Sequence, residues 1–462
     1  MQSLILTGTS LSPAGIASLI IMVVCIVLFV IDKIPTSVVA VLGCAFMSII
    51  CGALDTSQNW FAISFGGFSN SIIMLLVGMF LVSDALLGSG AATIIGKFVN
   101  KLARNNERIM VTILVFATLI ISAFLGNSAT VPMMLTIVYG IVVADKENKY
   151  NFMHLSIPVG IAGVFGSSTT LIASTPQLAS IPLLEAAVTN AGLEGNYTLG
   201  MFTFSLPGTI IALFGALFAI FIGYPLGKLI WGKRDPLAAK ANIVAPDSID
   251  LTNKENKRKL ITSFVILIVM IILFVCTSFL DFLDVGAISM LCGVACILFK
   301  VTTFKKAYST LNWNVCIWLA GCIGLGACLN ASGAASFIAS NVANALSGVP
   351  PFVFFMIFVL LAMVMSNFIA NITAVIILLP LVLPIAIEMG INPLAMTIGI
   401  FFGANFAMLT PLANAFIGLT QVAGYKFKDY IIYGATPQVM AFGLVILFVP
   451  LFFPLTSSGI FG

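Results

Sequence analysis

Basic residues are confined to six short segments of this chain, and long uncharged stretches separate them. All 20 Lys and Arg residues fall at Lys33, 97–108, 146–149, 228–259, 300–306 and 426–428. Of the 462 residues, 60% are hydrophobic and 8% are charged, and the mean hydropathy is +1.17. A soluble core needs far less apolar surface, so this pattern predicts an all-α polytopic membrane protein. The formal net charge of +4 reflects the basic loops and does not indicate a nucleic-acid partner.

The basic segments also predict how the chain crosses the membrane, because cytoplasmic loops are enriched in Lys and Arg. If all six segments lie inside, both termini lie outside and the connector 233–259 is cytoplasmic. Residues 1–232 and 260–462 then form two halves of opposite orientation, each with about five transmembrane helices and one re-entrant hairpin. The hairpins, at about 109–144 and 350–388, enter from the cytoplasm and from outside, respectively. The sequence thus predicts an inverted repeat, embedded in the lipid of the plasma or inner cell membrane.

Two polar interruptions of apolar segments recur at a constant spacing. Asn127 interrupts residues 122–136, and Asn371 interrupts residues 366–380, 244 residues later. A small residue and an Asn at bilayer depth are costly unless the backbone there lines a cavity. Two such breaks at matching positions of two halves favour the binding site of a transporter, with a pair of helix kinks as the alternative.

The chemistry of such breaks suits ions. Carbonyl, hydroxyl and amide oxygens are hard ligands for Na⁺, whereas N–H groups at helix N-termini suit anions. The break regions contain no Lys, Arg, His, Asp or Glu. A multivalent anion buried there would lack a formal counter-charge unless cations bound with it. If the substrate is an anion, this pattern favours cation-coupled uptake over simple anion exchange.

Several motifs resemble the divalent anion:sodium symporter family (sodium/dicarboxylate–sulfate symporters) of the ion transporter superfamily. They are the paired tips, GSSTTLIASTPQL from Gly166, MLTPLANAF from Met408 and GYKFKDYI from Gly424, and the similarity covers nearly the whole chain. The resemblance implies a homodimer, Na⁺ as the coupling ion with no other metal or cofactor, and a C4-dicarboxylate such as succinate, malate or fumarate. In that family one Na⁺ lies between tip and break in each half, and the substrate carboxylates bridge the two tips.

The resemblance implies two sets of site residues, matched by position. The substrate-binding residues are expected to be Asn127, Ser128, Thr130, Thr175, Asn371, Thr373 and Thr410. The sodium-binding residues are expected to be Ser122, Gly126, Asn127, Ala173, Ser366, Ala370, Asn371 and Leu409. Gly126 and Ala370 replace a Ser of the family motif, Ile372 replaces a Thr, and the second break is short. These departures leave the anion and the number of sodium ions open.

Other functions remain as alternatives. An inorganic anion carrier (sulfate or arsenite), a dicarboxylate exchanger and a Na⁺/H⁺ antiporter all occur in the same superfamily. An antiporter needs a titrating acid, and Asp84 is the candidate, either as a cation site or as a solvated helix end. A membrane enzyme is not expected, because the chain has a single His, His154, which we place at the surface or at the membrane interface. We also expect residues 52–68, with Trp60, to form an interfacial loop.

Overall fold

The computed structural model describes most of the chain, and every regular element in the described residues is a helix. The described residues are 11–31, 33–90, 102, 106–144, 150–193, 197–231, 253–277, 280, 282–311, 313–334, 337, 341, 348–410, 420, 423, 425 and 427–456. Among these residues, six helices are long and apolar enough to cross a membrane, and seven shorter helices are also apolar. The predicted all-α, multi-pass fold is confirmed.

The first half contains ten helices within its described residues. They are α1 (Pro13–Ile31), α2 (Thr36–Leu54), α3 (Trp60–Phe65), α4 (Ser71–Gly88), α5 (Glu107–Leu125), α6 (Asn127–Ala144), α7 (Phe152–Gly166), α8 (Thr175–Asn190), α9 (Ser205–Phe218) and α10 (Tyr224–Trp231). The described part of the second half contains eight. They are α11 (Lys254–Cys276), α12 (Val285–Leu298), α13 (Phe304–Thr310), α14 (Trp313–Ala331), α15 (Pro351–Ser366), α16 (Asn371–Glu388), α17 (Pro393–Asn405) and α18 (Phe427–Phe452). Most of the predicted connector lies outside the described residues.

Short polar side chains mark where several of these apolar helices begin. Asn106, Asn151, Asp284 and Asn392 precede α5, α7, α12 and α17, and each side-chain oxygen accepts a backbone N–H of the first turn. A helix N-terminus has N–H groups without intrahelical partners, and such caps satisfy them. The polar residues of this apolar chain therefore set the ends of its helices.

The order of elements repeats along the chain. Helices α5 and α6 begin at Glu107 and Asn127, and α15 and α16 begin 244 residues later at Pro351 and Asn371. The preceding helices α1 to α4 correspond in the same way to α11 to α14. Equivalent contacts also recur, because α5 packs on α7 as α15 packs on α17. The two halves are thus structural repeats.

Contacts between the halves establish relative helix directions. Helices α2 and α14 run in the same direction, since Ser37 N donates to Asn314 Oδ1 at 3.3 Å and Cys44 Sγ donates to Gly321 O at 3.2 Å. Helices α4 and α12 are also parallel, because Gly286 of α12 lies against Ser71, near the start of each helix, and Gly293 lies against Leu81.

The segment that joins α2 to α4 reverses the chain. Gln58 Nε2 donates to Ala331 O at the end of α14, and Gly67 lies against the carbonyl of Ala320 near its middle. The segment therefore runs antiparallel to α14 and α2 and continues into α4. Because α12 is parallel to α4, it runs opposite to α2, the helix to which it corresponds. Corresponding helices point in opposite directions, as an inverted repeat requires.

Trp60 does not lie in an interfacial loop, so that expectation was wrong. Residues Trp60–Leu86 form one apolar segment long enough to span a membrane. Trp60 is 2% exposed, and its indole N–H donates to Asp55 O at 2.8 Å. Asn59 caps the helix by accepting Ala62 N at 3.1 Å. The polar residues 55–59 form a turn, but the helix begins directly after it at Trp60.

The first hairpin folds back along α7. Helix α5 runs parallel to α7, since Glu107 Oε1 accepts Asn151 N at 3.3 Å and Ser122 Oγ donates to Gly163 O at 2.7 Å. Helix α6 runs antiparallel to α7, since the rings of Tyr139 and Phe152 lie 5.8 Å apart and Val131 contacts Gly163. The two arms of the hairpin are therefore antiparallel, and Gly126 forms the tip between them.

Glu107 ties the base of this hairpin to two other helices. Its carboxylate accepts from Lys228 Nζ and Tyr224 Oη of α10, both at 2.8 Å, and lies 3.2 Å from His154 Nδ1 of α7. His154 is buried, so the predicted surface position was wrong, whereas the interfacial position stays a prediction. The sequence places this His just after a charged run, but helix packing turns it inward onto a carboxylate.

Candidate functional site

The first hairpin turns at Gly126 in a conformation that only glycine adopts easily. Its φ is +75° and its ψ is 161°, and a side chain in this region is strained. A Cβ at this position would lie 2.7 Å from the carbonyl oxygen of Ala173. Asn127 follows as the first residue of α6 and is buried. Tip and break are therefore in direct backbone contact in the first half.

The first break separates α7 from α8. It comprises residues 167–174, with a short 3₁₀ turn at Leu171–Ala173 and an extended Ser174 before α8 begins at Thr175. Several of its carbonyls already have partners: Thr169 O accepts from Ser205 Oγ at 2.6 Å. The Gln177 amide, with its nitrogen facing the break, lies 3.2 Å from Ser167 O and 2.7 Å from Thr170 O.

The second hairpin has a different tip. Ala370 has ordinary helical-cap angles (φ −59°, ψ 140°) and is exposed, and Asn371 begins α16. Ser366 Oγ donates to Asn371 Oδ1 at 3.1 Å. The corresponding Ser122 instead donates to the Gly163 carbonyl. The two predicted sodium-site serines therefore differ in their partners.

The same contact fixes the tip to the break in both halves. Thr170 Oγ1 donates to the carbonyl of Ala123, and Thr410 Oγ1 donates to the carbonyl of Asn367. Each acceptor lies four residues before the Asn of its tip. We call this hydrogen bond the threonine clamp. Its two acceptors lie at equivalent positions of the repeat, 244 residues apart, and each clamp joins chain segments 43 to 47 residues apart.

The helices that precede the two breaks, α7 and α17, meet at their C-terminal ends. Asn405, at the end of α17, donates from Nδ2 to Val164 O of α7 at 3.2 Å, and the rings of Phe165 and Phe406 stack at 4.8 Å. Within the described residues, two buried polar atoms of the tip and break elements have no hydrogen-bond partner: Thr130 Oγ1, in the first turn of α6, and Asn405 Oδ1, at the end of α17. Buried polar atoms without partners are rare in folded proteins. These oxygens are candidates for contact with a bound ion or substrate.

The other predicted residues differ in how deeply they are buried. Thr373 is buried, whereas Thr175 and Leu409 are partly exposed. Nothing is described for the side chain of Ser128 or for residues 411–419 of the second break. The described tips and breaks contain no charged side chain, so the groups they can offer to a ligand are backbone N–H and C=O groups, hydroxyls and amides.

Three residues of this region were missed by sequence reasoning. Thr170 donates the hydrogen bond of the first threonine clamp, a contact that the sequence did not predict. Asn367 Oδ1 accepts Leu409 N at 2.9 Å. Gln438 of α18 accepts Met408 N and Leu409 N. Asn367 directly follows the predicted Ser366, so its position in the repeat was a signal. Gln438 lies far along the chain, and no local pattern indicates it.

Asp84 lies on α4, which packs mainly on α12. One of its carboxylate oxygens is buried and, among the described residues, has no hydrogen-bond partner. The nearby cation is Lys306 of α13. Asp84 is thus a half-buried acid beside a lysine, outside both tip–break pairs.

An inverted repeat of membrane-spanning helices, in which the helices before two polar breaks meet, is the architecture of a secondary transporter. Comparison with known families agrees. Residues 26–376 and 283–459 match the model of the CitMHS family, which is described as citrate transporter. The chain belongs to the CitMHS family, a member of the ion transporter superfamily. The narrower resemblance to divalent anion:sodium symporters stays a prediction.

Curated relatives are also transporters. An uncharacterized transporter of Escherichia coli (strain K12), YfbS, is 25% identical over 164 residues, which is 35% of this chain and 25% of the relative. An uncharacterized transporter of Haemophilus influenzae is 22% identical over 340 residues, which is 65% of this chain and 62% of the relative. The chain therefore covers less than two thirds of either relative.

Two solved structures share the fold. The Alcanivorax borkumensis YdaH transporter, described as having an unusual topology, matches with a TM-score of 0.55 and 18% identity over 91% of this chain and 99% of its own. Neisseria gonorrhoeae MtrF, described among antimetabolite efflux pumps, matches with a TM-score of 0.54 and 14% identity over 85% of each chain. At these identities the likeness extends to the fold alone.

Proposed function

We propose that this protein is a Na⁺-coupled symporter of a small divalent anion, most simply a C4-dicarboxylate such as succinate or malate. The observation that carries the proposal is the pair of threonine clamps, which hold two charge-free tips against two charge-free breaks. A dianion at such a site needs positive charge, and the described tips and breaks offer no cationic side chain. Co-bound Na⁺ supplies that charge and couples the two species.

The buried hydroxyl of Thr130 and the amides of Asn127 and Asn371 suit this role. A hydroxyl and an amide each combine an acceptor oxygen with a donor. One side chain at a tip can therefore coordinate Na⁺ through oxygen and donate to a carboxylate. The Asn residues begin α6 and α16, where the positive ends of the helix dipoles favour an anion.

The family description favours a second substrate. The matching family model is described as citrate transporter, and citrate is a larger polycarboxylate that the same donors can bind. Sulfate, arsenite, dicarboxylate exchange and Na⁺/H⁺ antiport are weaker alternatives. The antiport alternative needs a titrating acid, and Asp84 belongs to α4 rather than to a tip or break.

Uptake into proteoliposomes tests the proposal. Labelled succinate, malate, citrate and sulfate are offered with an inward Na⁺ gradient, with K⁺ in place of Na⁺, or with a pH gradient alone. We expect succinate or malate uptake that requires Na⁺, with unlabelled competitors ranking the anions. Uptake that is indifferent to Na⁺ but accelerated by internal dicarboxylate would establish exchange instead, and Na⁺-driven proton movement without anion uptake would establish antiport.

A further inference from the structure

Helix α18 presents one buried amide to the second break. Gln438 is 6% exposed, whereas its neighbour Val439 is 70% exposed. A buried amide within an apolar helix is costly unless it is hydrogen-bonded. The side chain therefore has a defined partner rather than a lipid-facing position.

The partner is the backbone of the break. Gln438 Oε1 accepts Met408 N at 2.7 Å and Leu409 N at 3.1 Å. Leu409 N is shared with Asn367 Oδ1 at 2.9 Å. Two amide side chains from different elements thus hold two consecutive peptide N–H groups that no helix satisfies.

Gly434 completes the contact one helical turn before Gln438. A Cβ at Gly434 would lie 2.1 Å from Met408 O, so only glycine permits this approach. The C=O of Met408 and the N–H of Leu409 belong to one trans peptide unit and point in opposite directions. That unit lies along α18, with its carbonyl at Gly434 and its amide at Gln438.

This contact determines what the second break can offer to a ligand. The N–H groups of Met408 and Leu409 are already used, so they cannot bind an anion. In the first break the side chains act as donors instead of acceptors, because Gln177 and Ser205 face carbonyl oxygens of residues 167–170. The two breaks are therefore chemically different although they are related by the repeat.

We propose that Gln438 is a positioning residue for a cation site in the second half. Its amide oxygen holds the peptide unit between Met408 and Leu409 in place, next to the Leu409 carbonyl. It also accepts the N–H groups of Met408 and Leu409, which would otherwise repel a cation. Helix α18 thereby sets the Na⁺ affinity of this half without contacting the ion. This inference rests on the proposed Na⁺ coupling.

The experiment measures two quantities on the full-length protein with Gln438→Leu, Gln438→Asn and Gln438→Glu. The first quantity is the Na⁺ concentration for half-maximal succinate or malate uptake. The second is hydrogen exchange of the amides of residues 406–410, with and without Na⁺. Val439→Leu, on the same turn but exposed, is the matched control.

Gln438→Leu removes the acceptor, so we expect the Na⁺ concentration for half-maximal uptake (the Na⁺ midpoint) to rise by about tenfold. The maximal uptake rate at saturating Na⁺ should be largely kept. Exchange at Met408 and Leu409 should accelerate by about tenfold or more. Gln438→Asn retracts the oxygen by one methylene and should give an intermediate effect. Gln438→Glu keeps an acceptor and should preserve protection of both amides.

An unchanged exchange rate in Gln438→Leu would overturn the positioning role. A faster exchange with an unchanged Na⁺ midpoint would reduce Gln438 to a structural residue and overturn the inference. If Gln438→Leu does not fold, the Asn variant decides between these outcomes. Wild-type uptake without Na⁺ dependence would instead contradict the proposed function and, with it, the cation site, while exchange would still report whether Gln438 holds the break.

Discussion

At the scale of single residues, the two tip asparagines are equivalent in sequence but not in surroundings. Asn127 is buried at 4% exposure, and Asn371 is half-buried and accepts from Ser366 Oγ. Both begin the second arm of a hairpin. An amide there is neutral, so it can face an anion and a cation at once.

Replacing either asparagine with Asp tests this role. Asn127→Asp and Asn371→Asp keep the oxygens but add negative charge where an anion must bind, so we expect uptake to fall by about a hundredfold or more. Membrane insertion and yield should stay near wild type. Asn→Ala at either position should raise the apparent Km for Na⁺ and substrate together.

The kink alternative gives a different result. If the asparagines only shape helix ends, the Ala variants lose yield or thermal stability, and the surviving protein keeps wild-type kinetics. An Asp variant that transports at the wild-type rate removes that tip from the substrate site.

At the scale of elements, the tips of the two hairpins use different backbone geometry. Gly126 has φ +75° and lies against the Ala173 carbonyl, whereas Ala370 has φ −59° and is exposed. Glycine is required only where φ is positive or where another backbone approaches closely. The first tip meets both conditions, so it tolerates substitution less than the second tip does.

Gly126→Ala should therefore abolish uptake and lower thermal stability, at a cost of about 1–3 kcal/mol for the strained φ and more for the contact with Ala173. Gly390→Ala is the control, because Gly390 has φ +71° but nothing within 4 Å of a Cβ. We expect the control to lose some stability and to retain uptake. Melting curves and initial uptake rates measure both effects, and equal uptake in the two variants would contradict the close approach.

At the scale of the whole molecule, opposite helix directions place equivalent turns on opposite faces. The turn after α2 contains Ser57, and the turn after its counterpart α12 leads to Lys305 of α13; both side chains are exposed. The distribution of Lys and Arg predicts that the first turn lies outside and the second inside.

Cysteine labelling tests this sidedness. An impermeant maleimide should label Ser57→Cys in intact cells and Lys305→Cys only after permeabilisation, with the unsubstituted protein as background. The reverse pattern would invert the predicted orientation and leave the fold unchanged. Labelling of both positions in intact cells would contradict opposite orientation of the halves.

The sequence by itself determined the class of protein and the repeat. Apolar length, charge placement and the 244-residue spacing of Asn127 and Asn371 are properties of contiguous segments. They predict membrane helices and the positions of both tips, because lipid forces backbone hydrogen bonds to close within each helix. Helices α5, α6, α15 and α16 begin and end within a few residues of the predicted hairpins.

Only the tertiary structure decided which side chains meet at the breaks and at the base of the first hairpin. It brought Thr170 to the first tip, placed Asn367 and Gln438 on Leu409, and turned His154 onto Glu107. These contacts join residues up to 47 positions apart and depend on which face each helix presents. Apolar helices in lipid have no amphipathic stripe that reveals this face, because lipid and protein interior are equally apolar.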